Sequence, residues 1–100
     1  MSALPTEPDV TFVIAAYNAA DTIVAAIDSA LAQDNVSLEV VVVDDCSPDD
    51  TRAVVQAVAE RDPRVKLIAL DSNLGPGGAR NAGIDAAQGR WIAVLDSDDM

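Results

Sequence analysis

Three carboxylates fall within four positions at Asp96-Ser97-Asp98-Asp99, directly after the apolar run Trp91-Ile92-Ala93-Val94-Leu95. Carboxylates this close repel one another. A hard divalent cation such as Mg2+ or Mn2+ relieves the repulsion by taking oxygen ligands. The run before them reads as a strand buried on both faces. Acids at the carboxyl end of such a strand stand where open α/β sheets bind their ligands. Together these features point to metal-assisted chemistry on a phosphorylated ligand, set against the plainer reading of a solvated acidic loop. An EF-hand loop is ruled out, because Met100 occupies the fifth loop position, where Asp or Asn is needed.

A second acidic pair, Asp44-Asp45, ends a run of four valines. One carboxylate can brace the following turn while the other faces a cleft and accepts hydrogen bonds from a base or a hydroxyl. The pair with Ser47-Pro48 also makes a good turn by itself. Tyr17 is the sole tyrosine and lies just beyond an apolar run. It can stack on a nucleobase, with Asn18 fixing the turn, or simply sit half-buried at a rim. The segment NLGPGGARNAG carries Arg80 among glycines. Glycines admit close backbone approach, and helix-start amides favour an anion. Arg80 can meet a phosphate or a carboxylate of the acidic cluster. The segment is neither a dinucleotide fingerprint, since Arg80 stands where the third glycine belongs, nor a Walker loop, since no Gly-Lys-Ser/Thr follows. Cys46 is a small filler at a strand end. The chain contains no histidine, which excludes cysteine–histidine catalysis within it.

These groups need elements to position them. One hundred residues make one domain or a piece of one. Half are hydrophobic, with one Trp, one Tyr and one Phe, so the core is aliphatic. No stretch approaches the roughly 20 apolar residues of a membrane span, and the amino terminus lacks the pattern of a secretory signal. A single cysteine fits a cytosolic location. The net charge of −11, from 17 acids and 6 bases, repels nucleic acid. A diphosphate is repelled as well unless a metal and a local arginine offset the field.

Residues 1–8 read as a loose leader before a domain over 9–100. Strands are predicted over 10–16, 38–43, 65–70 and 90–95. A helix is predicted over 19–33, with Ile23, Ala26, Ile27, Ala30 and Leu31 inward and Asp21 near its positive end. The next has Ser47 as N-cap, Pro48 as first residue and Asp50 in the first turn, and runs to about Arg61 before Pro63. Residues 73–78 read as a tight loop and 79–87 as a short helix ended by Gly89. Strands alternating with helices imply an α/β fold: a three-layer, Rossmann-like parallel sheet with right-handed crossovers, in the order 3-2-1-4. All the loops carrying the polar groups then fall on one edge.

In their order, VTFVIAAYN, the helix with Ser29 and Gln33, VVVDDCSPDDT, NLGPGGARNAG and RWIAVLDSDD resemble the nucleotide-sugar-binding part of family 2 glycosyltransferases of the GT-A fold. The resemblance runs from about Val10 to Asp99 and is of the bacterial exopolysaccharide class. It implies transfer of a sugar, with inversion, from a UDP-sugar to a glycan or lipid-linked acceptor, in the cytoplasm or at the inner face of the membrane. It implies that Ala15, Tyr17, Asp45, Arg80 and Asp96 bind the nucleotide sugar. In it, Asp98, Asp96 and Asp99 hold Mg2+ or Mn2+, with Asp98 the direct ligand. The chain departs from the family where Ala15 and Ala16, rather than a proline-containing pair, precede Tyr17. The general base and the acceptor-binding part are expected after Met100, so this stretch by itself is expected to be inactive. An unpaired fourth strand is expected to promote self-association.

Two other readings stay open at this level. A phosphoacceptor receiver domain also carries acids at strand ends, although its acidic pair follows the first strand rather than the second. A binding fragment without activity is the other.

Overall fold

The computed structural model describes residues 8–33 and 37–96. Strand β1 (Val10–Ala16) lies between β2 (Leu38–Asp44) and β4 (Trp91–Asp96), and β3 (Val65–Ala69) flanks β2 on the far side. Every pairing is parallel, and the order is β3-β2-β1-β4, as the alternation of elements predicts. A receiver domain has the flavodoxin-like order, with its third strand beside its first. Here β4 takes that place, so the receiver reading fails on topology.

Helices α1 (Ile23–Leu31) and α2 (Thr51–Arg61) cover one face. Their Ile23, Ile27, Ala30, Val55 and Val58 pack with Ile14, Val40, Val42 and Val65 of the sheet. Helix α3 (Gly75–Ala86) lies on β1 and β2, where Ala79 meets Val41 and Val43. Strand β2 is buried at all seven positions because it carries helices on both faces. Gly83 brings α3 close to the sheet: a Cβ there would run into Val13 Cγ1 and lie 3.1 Å from Val43 Cγ2. Among the described residues, no helix is long and apolar enough to cross a membrane.

The sheet's amino-terminal edge holds a buried polar knot. Glu39 Oε2 accepts from the Thr11 hydroxyl at 2.6 Å and from the Gln88 amide at 2.8 Å, and Oε1 accepts from Lys66 Nζ at 2.7 Å. Thr11 Oγ1 in turn accepts the Gly89 amide at 2.8 Å. Burial alone pushes the Glu39 carboxyl up. The hydrogen bonds from Lys66, Thr11 and Gln88, with the charge of Lys66, outweigh it and hold the group below the ordinary glutamate range.

Three helix starts differ from expectation. Helix α1 begins at Ile23, after a turn over residues 19–22. Helix α2 begins at Thr51 rather than Pro48, which leaves Ser47 four residues before it and too far to cap it, with its hydroxyl accepting the Asn18 amide instead. Asp50 therefore sits at the N-cap position, outside the first turn. Helix α3 begins at Gly75, inside the segment expected to be a loop. Pro76 presets a helical φ near the start, and the Asp45 carboxylate satisfies the amides of Leu74 and Gly75. The helix ends at Ala86, and Gly89 instead packs against Thr11, where a Cβ would lie 2.6 Å from the Thr11 amide nitrogen. Strand ends move by one residue: β2 reaches Asp44, β3 stops at Ala69 and β4 spans Trp91–Asp96.

Candidate functional site

The carboxyl ends of the strands form one edge. In register, Ala16 lies opposite Asp44, Asp44 opposite Ala69, and Ala15 opposite Asp96. The crossovers through α1 and α2 lead from β1 to β2 and on to β3. The crossover through α3 returns over the other face to β4. The chain thus changes direction between β1 and β4, and ligands bind at such a switch point. Ala15 and Asp96 face each other across it.

The two acids of the β2 terminus are both buried and both bond within the chain. Asp44 is fully buried. Its Oδ1 accepts the Ser47 amide at 3.3 Å, and its Oδ2 lies 3.5 Å from Arg52 Nε. Arg52 also donates to the Leu70 carbonyl at 3.4 Å, so the buried charge is paired and the loop after β3 is tied in. Asp45 is 3% exposed, and its Oδ1 and Oδ2 accept the amides of Leu74 at 2.7 Å and Gly75 at 3.0 Å. A carboxylate at a helix amino terminus also meets the positive end of the helix dipole. Each Asp45 oxygen has a further lone pair beyond the one its amide takes. Asn73 adds a bond from Nδ2 to the Asp45 carbonyl at 3.1 Å.

On the other side, the loop after β1 is stitched to the loop after β2. The Asp45 amide donates to the Ala16 carbonyl at 2.9 Å. The amides of Asn18, Ala19 and Ala20 donate to Ser47 Oγ at 3.0 Å, Thr51 Oγ1 at 2.8 Å and Asp49 Oδ2 at 3.2 Å. Asp49 also accepts from the Thr51 hydroxyl and amide, and these bonds, led by the hydroxyl's, hold its carboxyl below the ordinary range. Asn18 at φ 54° and Cys46 at φ 61° adopt left-handed backbone in the two facing loops. Cys46 Sγ lies 3.6 Å from the Asp71 carbonyl.

The structure therefore brings Ala15, Tyr17 and Asp45 to one edge, with the backbone of Asp96. Tyr17 is 52% exposed there. Arg80 is half-buried on α3, whose first turn rests on Asp45. Asp98 and Asp99 lie outside the described residues, as does the side chain of Asp96. Among the described residues, no group of three or more acids, cysteines or histidines forms a metal cluster. Sequence reasoning missed the parts played by Ser47, Asp49, Thr51 and Arg52. No local pattern marks the first three, because residues 48–50 form a bend and turn before α2 and their partners lie in the loop after β1, which the sheet brings alongside.

Comparison with known proteins matches this architecture. The profile described as Glycosyl transferase family 2 matches residues 11–100. The succinoglycan biosynthesis protein ExoO of Rhizobium meliloti (strain 1021) is 76% identical over 92 residues, which is 92% of this chain and 26% of that protein. WfaP of Escherichia coli, a UDP-Glc:alpha-D-GlcNAc-diphosphoundecaprenol beta-1,3-glucosyltransferase, is 43% identical over 90% of this chain and 35% of its own length. Among solved structures, the mannosyltransferase PcManGT of Pyrobaculum calidifontis, in complex with GDP-Man and Mn2+, superposes with a TM-score of 0.82. It shares 33% identity, with 92% of this chain and 28% of that one covered. The chain thus spans about a quarter to a third of the length of the proteins it resembles.

Proposed function

Because this chain belongs to glycosyl transferase family 2, we propose that it supplies the donor-binding part of an inverting enzyme. That enzyme moves a sugar from a UDP-sugar to a glycan or lipid-linked acceptor in polysaccharide biosynthesis. The observation that carries the reading is the meeting of Tyr17, Asp45 and the end of β4 at the switch point between β1 and β4. Likeness to ExoO and to WfaP, whose names state succinoglycan synthesis, a UDP-Glc donor and a diphosphoundecaprenol acceptor, supports the donor and acceptor classes.

In this reading the Tyr17 ring stacks on the base, and Asp45 accepts from the base with the lone pairs that α3 leaves it. Ala15, in register with Asp96, and Arg80 of α3 are assigned to the donor as well. The donor set Asp96, Asp98 and Asp99 is all carboxylate oxygen and fits Mg2+ or Mn2+. Asp98 is the direct ligand. When bound, the ion supplies Lewis-acid stabilisation of the diphosphate leaving group. Such an ion also offsets the repulsion between a diphosphate and a chain of net charge −11. No described residue is assigned as general base. That group and the acceptor site belong to the further length that the relatives possess. The working location is cytoplasmic, peripheral at the inner face of the membrane where a lipid-linked acceptor is presented, and nucleic acid is no partner.

Calorimetric titration of UDP tests the reading. Binding is expected in Mn2+ and not in EDTA, and Asp98→Ala is expected to abolish the metal dependence. Equal UDP affinity in Mn2+ and EDTA overturns it.

A further inference from the structure

Three successive amides of the loop after β1 are each received by a side chain from the segment after β2. Asn18 bonds to Ser47, Ala19 to Thr51 and Ala20 to Asp49. The Ala19–Thr51 bond is buried, with Thr51 fully shielded and Ala19 4% exposed. Just before them, the Ala16 carbonyl is held by the Asp45 amide. Tyr17 thus sits between two anchored stretches, while its ring remains 52% exposed. The next residue, Asn18, is in left-handed backbone, a costly conformation that persists where its surroundings over-determine it.

A stacking ring gains affinity from being held ready, because ordering it on binding costs entropy. We propose that Ser47, Asp49 and Thr51 are positioning residues of the donor site, fixing the loop over residues 17–20 so that the Tyr17 ring is preset to stack on the donor's base. They act through Tyr17 and do not touch the donor. This rests on the assignment of Tyr17 to the base.

The test is UDP affinity in Mn2+, measured by calorimetry on this chain carrying Thr51→Val, Thr51→Ser, Tyr17→Ala and Tyr17→Ala with Thr51→Val. Loss of one such bond corresponds to a roughly three- to tenfold weakening. Thr51→Val is expected to weaken UDP by that factor, and Thr51→Ser, which keeps the hydroxyl, to restore it. In the Tyr17→Ala background Thr51→Val is expected to cost nothing further, since residues acting as one unit are non-additive. Ser47→Ala, at an exposed bond, carries the same comparison if Thr51→Val fails to fold. Parental affinity of the Thr51 and Ser47 variants, or losses that add to that of Tyr17→Ala, overturns the proposal and leaves the base assignment standing. Parental affinity of Tyr17→Ala overturns the base assignment and this proposal together.

Discussion

The carboxylate of Asp45 stands on the amino end of α3, its Oδ1 2.7 Å from the amide of Leu74. One buried side chain thereby joins the end of β2 to the start of a helix on the opposite crossover. The group assigned to the donor's base is also a structural clamp.

Asp45→Ala is therefore expected to have two effects. Uridine binding weakens while Mn2+ binding stays close to parental. Stability falls by about 1–3 kcal/mol, because the Leu74 amide loses its acceptor and the Gly75 amide keeps only Asn73 Oδ1. Denaturant midpoints and calorimetry read the two effects separately. Parental uridine affinity in the variant removes Asp45 from the base pocket.

Gly83→Ala is expected to destabilise the fold despite better helix propensity. The propensity gain is about 1 kcal/mol. The added methyl runs into Val13 and Val43 within a packed layer, and overpacking costs roughly 1–3 kcal/mol. A lowered urea midpoint with an unchanged slope is the expected result. A raised midpoint means that α3 shifts freely on the sheet.

The Glu39 knot sets an acid limit. Its carboxyl is held below the ordinary value of about 4.3. The charged form is thus favoured in the folded state, and this contribution is fully present above that ordinary value. It is lost as the pH falls through the lower folded value. Glu39→Gln is expected to cost about 1–2 kcal/mol at pH 7 and to flatten the fall in stability below about pH 4. Parallel pH profiles for parent and variant count against the knot.

Strand β4 is one of the two outer strands of the described sheet and, contrary to the expectation of a strand buried on both faces, exposes Trp91 (70%), Ile92 and Val94, because no described strand covers its outer side. An unpaired apolar edge pairs readily with another copy. Light scattering on this chain is expected to show species larger than the monomer, diminished by Val94→Lys. A monodisperse monomer at every concentration goes against self-association.

Much of this molecule follows from local pattern. The run Val10–Ala16 ends where its apolar, β-branched stretch ends. Four valines before Asp44 require a strand covered on both faces, and the β-α alternation leaves few sheet orders open. In a parallel sheet every such strand delivers its carboxyl end to the same edge, so Tyr17, Asp45 and Asp96 meet as a consequence of element order. What sequence alone did not decide is where the helices start and which acid serves what. Helix ends leave amides to be satisfied, and here the partners come from distant segments: Asp45 for α3, and Ser47, Asp49 and Thr51 for the turn before α1. Those pairings depend on loops brought side by side by the sheet. For that reason only the tertiary structure showed that Asp44 is a brace paired with Arg52, and that Asp45 is a clamp on α3.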